Sequence, residues 1–281
     1  MKNIPYLAYR NVFLVFLLAL FLLPAAAANG APAAKLWPRW QTHDQYSQEV
    51  VDHMDWSLML QRYVDSRHPS GINRFRYSSV TPADREILDR YLQTMQNLKV
   101  SDLSRQEQKA YWINLYNALT VKVVLDHYPV KSIRMINLPP GIFSRGPWDA
   151  KLLTIEGEEV SLNDIEHRIL RPVWKDPRVH YAINCASIGC PNLQPQAYTG
   201  DNVELLLEKA AREFINHPRG VSFPSNRLQV SSIYFWFQED FGGSEKGIIK
   251  HLKKYLSEKN LEQLDKVQKN IGHKYDWNLN E

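Results

Sequence analysis

The sequence predicts a helix-rich α+β fold: a single domain with a central buried helix and small β-hairpins or a small sheet. Three observations carry this. The stretch from Ser104 to Tyr128 is apolar almost all round, as a helix buried on every side must be. Two short stretches, "KLLTIEGEEVSL" and "GVSFPSNRLQVSSIYFWF", read as strands meeting at turn residues. The segments around them keep the apolar spacing of amphipathic helices.

Taken in order, Tyr46 to about Val64 has apolar residues at helical spacing, with Val50, Met54, Leu58 and Tyr63 among them. "TPADREILDRYLQTMQNL" is a helix with Thr81 as N-cap, Pro82 at the first helical position and Asp84 in the first turn. The central helix spans about Gln106–Asp126. Ser104 and Glu107 have the spacing of a capping box, and Pro129 lies just past the end. A long Pro- and Gly-containing loop, "KSIRMINLPPGIFSRGPWDA", leads to the first hairpin, which turns at Glu156-Gly157. Ser161 caps a helix over "SLNDIEHRILR", with Asp164 three residues on. "RVHYAI" reads as a short strand broken by Cys185 to Cys190, where Gly189 and Pro191 enforce a turn. "TGDNVELLLEKAAREFINH" is amphipathic and helical. The second hairpin turns at Pro224-Ser225-Asn226, and "SEKGIIKHLKKYL" and "NLEQLDKVQ" supply closing helices before "YDWNLNE".

The N-terminus has the form of a secretory signal over residues 1–28. Lys2 and Arg10 precede the apolar run Val12–Leu23, and Ala26-Ala27-Ala28 fits the small-x-small cleavage pattern. The run is shorter than the ~20 residues of a confident membrane span. The expected location is therefore periplasmic or secreted, with membrane contact only if the segment stays uncleaved. Residues 29–45 read as a linker, 46–100 as an N-terminal helical segment and 101–281 as the main α+β domain. Losing residues 1–28 removes two basic residues and no acidic one, so the formal charge of +4 falls to about +2. Such balance lacks the clustered basic face of a nucleic-acid binder. Eight Trp, fourteen Tyr and 44% hydrophobic residues are ample for a packed core.

The chain has two cysteines, Cys185 and Cys190, in "HYAINCASIGCPNL". Three readings compete. A disulfide suits an exported protein. A catalytic thiol needs a base and a group that orients the base; Cys185 as nucleophile, His180 as base and Glu166 as orienting or acidic group supply them, with His167 a second candidate base. Strand parity would turn His180 away from Cys185 unless the chain bends after Asn184. A metal site is weakest, because two cysteines and one histidine fall short of a structural zinc set; no metal and no cofactor is called for. Glu166 falls inside the apolar arc of Leu162, Ile165, Ile169 and Leu170, where a carboxylate is either paired with Arg168, Arg171 or Arg178, or faces a cleft. Asn114 and Asn117 share an otherwise apolar stripe of the central helix. They either tie down loops or line a polar site. With Arg178 and Cys190 they complete the candidate substrate-binding set.

"YWINLYNALTVKVV", "SLNDIEHRILR", "DPRVHYAINCASIGCPNL" and "SSIYFWFQEDFGG" occur in this order. Together they resemble the domain-of-unknown-function family 547 of bacteria and plants, over roughly Ser101 to Phe241. That resemblance implies no particular chemistry. The shorter "SIGCPN" is similar to the S-x-G-C-x-N segment of L,D-transpeptidases, but Ile188 stands where that family has histidine, and its fold is largely β. The expectation is an exported thiol-dependent hydrolase or acyl/amide transferase acting on a small-molecule or envelope substrate. The alternatives are a binding or structural domain with a Cys185–Cys190 disulfide, and a thiol redox protein.

Overall fold

The computed structural model describes residues 31–139, 146–267 and 271–281. The expected signal segment lies outside the described residues, as do residues 140–145 of the loop before the first hairpin. The fold is a helix-rich α+β domain with sheets of two or three short strands.

Helix α1 (Met54–Tyr63) leads into β1 (Val64–Asp65), which pairs antiparallel with β2 (Arg74–Phe75). Helix α2 (Pro82–Gln96) starts as its sequence predicts, with Thr81 Oγ1 accepting from the Asp84 amide. Helix α3 (Arg105–His127) is the central element, and its residues from Glu107 to Val121 are all buried. Ser104 Oγ accepts from the Glu107 amide, but Glu107 does not complete the capping box. Its two oxygens accept from the amides of Gly200 and Val51 instead, pinning two distant loops to the start of α3. Strands β3 (Leu153–Ile155) and β4 (Glu158–Val160) form the expected hairpin. Glu156 and Gly157 both have positive φ, 48° and 83°, which is what a two-residue turn of this twist requires.

A π-helix (Asp164–Leu170) runs into α4 (Arg171–Trp174), followed by α5 (Val179–Ala182) and α6 (Val203–Asn216). Strands β5 (Val221–Ser222) and β6 (Gln229–Ser231) form the second hairpin. Helices α7 (Ile233–Trp236), α8 (Glu245–Lys253) and α9 (Glu258–Asp265) precede β7 (Gly272–Lys274), which joins β6 in parallel. One apolar cluster surrounds α3 and takes in α1, α2 and the first hairpin. A second gathers on α6, α7 and α8 around Phe214, Tyr234, Phe241 and Ile248.

Three local expectations are corrected. The N-terminal helix starts only at Met54, and Val50, Met54 and Leu58 are exposed; Trp56, Met59, Leu60 and Tyr63 form its buried face. Tryptophan and tyrosine bury more area than the residues whose spacing suggested the other face. "RVHYAI" is a helical turn, not a strand: the Val179 and His180 amides donate to the Asp176 and Pro177 carbonyls. The Asp-Pro pair initiates that turn, as it often does. The helix over "SLNDIEHRILR" is a π-helix in its centre, so an ideal α-helical wheel misplaces its side chains. Residues 31–45, read as a linker, lie against this π-helix, with the amides of Lys35 and Trp37 donating to the carbonyls of His167 and Arg168.

Two buried histidines make the fold acid-sensitive. Burial holds both His53 and His251 at about 4. Each is bonded to a buried tyrosine, His53 to Tyr91 (2.7 Å) and His251 to Tyr181 (2.8 Å). The unfolded chain protonates these rings below about 6.5. Stability from them is thus whole above about pH 6.5 and declines as pH falls toward about 4, by roughly 1.4 kcal/mol per pH unit for each ring. Urea unfolding across that range measures the slope, and His251→Gln should remove about half of it.

Candidate active site

The two apolar clusters meet at a buried polar network. The π-helix supplies Glu166 and His167, α4 supplies Arg171, α5 supplies His180, α3 supplies Tyr116, and the loop after α7 supplies Glu239 and Asp240. π-Turns are frequent at functional sites because the wider turn shifts the side-chain register locally. Here Glu166 and His167 both line one cleft, together with His180 and Tyr116.

His180 sits between two carboxylates. Its Nε2 is 2.7 Å from Asp240 Oδ2, and its Nδ1 is 3.6 Å from Glu166 Oε1. The second is a charge contact rather than a hydrogen bond. Burial opposes a charge on His180, but the two carboxylates outweigh it and raise its pKa above the ordinary value. The ring stacks on Phe237, with centroids 4.1 Å apart. Arg171 closes the network from behind: it donates to Asp240 (2.5 Å), Glu239 (2.5 Å) and the Pro32 carbonyl (2.7 Å), and it lies over the Phe237 ring. Burial likewise opposes ionisation of Glu166, but His167, His180 and Arg171 outweigh it and hold the carboxyl below its usual range. Tyr116 Oη donates to Glu166 Oε2 at 3.3 Å. Burial lowers His167 from the ordinary histidine value, against the pull of Glu166. The site therefore presents a carboxylate held low beside an imidazole held high.

The cleft has a volume of about 710 Å³. Its walls are aromatic: Trp236 stacks on Trp277 (5.5 Å), Tyr275 packs on Trp277 (4.6 Å), and the Arg134 guanidinium lies 4.9 Å over the Trp277 ring. Trp148 is on the opposite end of this set, edge-on to Trp277. Such walls suit a ligand with flat apolar faces and polar edges.

Cys185 and Cys190 are joined in a disulfide that lines the cleft. The loop between them is held independently of that bond. The amides of Ile188 and Gly189 donate to the carbonyls of Asn278 and Asp276, and the Asn280 amide donates to the Ala186 carbonyl. Asn184 Oδ1 accepts from the Ala186 amide while its Nδ2 donates to the Pro191 carbonyl. Gly189 is needed here because a Cβ would come within 2.9 Å of the Asp276 backbone. Closing so short a loop contributes only about 2 kcal/mol on the chain-entropy model.

The structure brings Glu166, His180, Cys185 and Cys190 to one cleft. Of the expected catalytic set of Cys185, His180 and Glu166, the first two are not disposed as a free thiol and its base in this structure. Cys185 is bonded to Cys190, and both ring nitrogens of His180 face carboxylates, so neither is left to take a thiol proton. Asn114 and Asn117 do not line the cleft. Each clamps backbone: Asn114 bonds both the amide and the carbonyl of Tyr198, and Asn117 bonds the Ala182 carbonyl and the Asn184 amide. These amides fix the loop that carries the cysteines. Arg178 also lies off the cleft, in a cluster with Asp176 and Glu204 beside the buried Lys109. The carboxylates that Arg171 takes are Glu239 and Asp240, not Glu166.

Sequence reading missed Asp240, Tyr116, Tyr275 and Trp277. Asp240 stands in "SSIYFWFQEDFGG", a quoted segment whose acidic pair offered a signal. Tyr275 and Trp277 arrive from the C-terminal segment, far past the second hairpin, and no periodicity links them to the site.

Residues 100–215 match the model of the family described as "Protein of unknown function, DUF547". No curated protein matches the chain, and no solved structure matches it. The match takes in Tyr116, Glu166, Arg171, His180 and both cysteines, while Asp240 and the aromatic wall from Trp236 onward lie beyond it. Much of the cleft thus lies in a stretch, residues 100–215, that is similar to a family described as being of unknown function.

Proposed function

We propose that this cleft is the active site of an exported hydrolase or acyl/amide transferase of the cell envelope, with Glu166 as its acid–base group. The observation that carries the reading is the ionised, buried Glu166 at an aromatic-walled cleft, backed by His180, which Asp240 and Arg171 hold in place. Perturbed titratable groups of this kind in a cleft mark candidate sites. Glu166 takes a proton from an attacking water or alcohol and returns it to the leaving group. His180 acts through Glu166 as a positioning residue. This replaces Cys185 as nucleophile and His180 as base, for the reasons of bonding and proton occupancy given above. Export is supported by the N-terminal segment and by the paired cysteines, which suit an oxidising compartment.

The test is turnover of p-nitrophenyl esters, aryl amides and solubilised cell-wall glycopeptides by the full chain. Glu166→Gln should lower kcat/KM by about 10²–10⁴ on whichever is turned over. Equal turnover by Glu166→Gln sinks the proposal. Loss of turnover in Cys185→Ser/Cys190→Ser, with Glu166→Gln active, restores the thiol mechanism. A wild type that binds one of these compounds but turns over none is a binding domain.

A further inference from the structure

The two sulfurs of the Cys185–Cys190 pair are not equivalent. Cys190 is 4% exposed, while Cys185 is partly open and both line the cleft. The Cys185 amide donates to Cys190 Sγ alone, at 2.9 Å, while the Tyr275 hydroxyl sits between the sulfurs, 3.1 Å from Cys190 Sγ and 3.0 Å from Cys185 Sγ, and Ser187 Oγ lies 3.2 Å from Cys185 Sγ. A disulfide sulfur is a weak acceptor and gains little from two donors, whereas a thiolate gains much more. Tyr275 is itself held by Ser187 Oγ at 2.9 Å. The loop is pinned by the backbone bonds of Ala186, Ile188 and Gly189, so cleaving the S–S bond leaves its frame standing.

From this asymmetry we infer that Cys185–Cys190 is a thiol–disulfide exchange site, attacked at Cys185 by an external thiolate and releasing Cys190 as the leaving thiolate. The attacking sulfur forms a new S–S bond with Cys185 Sγ. The Cys185–Cys190 bond breaks, and its electron pair goes to Cys190 Sγ, where the Cys185 amide and Tyr275 receive the charge. When the attacking molecule is a dithiol, its second sulfur then attacks the mixed disulfide. It forms its own ring or chain disulfide and releases Cys185. The dithiol is oxidised by two electrons, the cysteine pair is reduced by two, and the two thiol protons pass to Cys185 and Cys190. The substrate class is therefore a dithiol that reaches the cleft. The inference uses neither Glu166 nor His180 and stands or falls apart from the hydrolytic reading.

The full chain, natively folded, is treated with glutathione, blocked with N-ethylmaleimide and mapped by peptide mass; in parallel its reduction by dithiothreitol is timed. The adduct is expected on Cys185, and reduction is expected to be first order in dithiothreitol with an unchanged circular dichroism spectrum. Tyr275→Phe, which keeps the ring, should slow reduction by roughly three- to tenfold. An adduct on Cys190, or a pair that dithiothreitol reduces only at the rate of global unfolding, overturns the inference. So does a Tyr275→Phe variant that is folded and reduced at the wild-type rate.

Discussion

Arg171→Leu is expected to lower the unfolding free energy by about 3–5 kcal/mol, the cost of leaving buried charges without their partner. The guanidinium is almost wholly buried, and it serves Asp240, Glu239, the Pro32 carbonyl and His167 at once. Glu239 can turn to water, since it is more than half exposed, but Asp240 is mostly enclosed. Leucine restores part of the lost packing on Phe237 and none of the charge. Urea unfolding of the two proteins gives the difference directly. The double variant Arg171→Leu/Asp240→Asn should lose less than the sum of the single losses, because it leaves no unpaired carboxylate behind. A loss below about 1 kcal/mol for Arg171→Leu would place the pair among ion pairs of surface strength.

His180→Gln is expected to change both stability and the titration of Glu166. The sign follows from which states bind the proton. His180 is raised, so its stabilising effect is whole below about pH 6.5, the unfolded value, and is lost as pH rises through its raised folded value. Glu166 and Asp240 are held low, so their contribution is whole above the ordinary carboxylate range and is lost as pH falls through their folded values. Without the His180 ring, burial acts on Glu166 with less opposition, and its pKa moves up. Carbon-13 NMR of labelled glutamate carboxyls reads that movement. If Glu166 is the acid–base group, kcat falls by about 10²-fold and the acidic limb of the pH–rate profile shifts to higher pH. A merely structural His180 would move stability and leave that limb in place. The loss of stability with rising pH should also vanish in the variant.

Local order was legible in the residues wherever one short segment carries its own signal. The cap at Thr81, the place of the turn at Glu156-Gly157 and the buried character of α3 follow from composition and spacing, because each depends on neighbours a few residues away. The same logic failed where the signal was shared. Of the stripe Val50, Met54, Leu58 and Tyr63 only Tyr63 is buried, and the rest of the buried face is Trp56, Met59 and Leu60. Strand parity for "RVHYAI" failed because an Asp-Pro start made a helical turn. An α-helical wheel put Glu166 on an apolar arc, which rightly marked it as unusual, but could not foresee the π-turn beneath it.

The sequence by itself determined the helix-rich α+β class, the central helix and the short list of groups with chemistry to explain. Only the tertiary structure decided what those groups do to one another. His180 is raised above the ordinary histidine value because Asp240 and Glu166 flank it, and those two carboxylates are 74 residues apart in the chain. Asn114 and Asn117 become clamps because loops from after α5 and before α6 cross their stripe of α3. Cys190 acquires its donors because Tyr275 returns from the far end of the chain. Proton affinity, hydrogen bonding and leaving-group character are set by atoms within a few ångströms, and contacts between residues so distant in sequence leave no periodic trace in it.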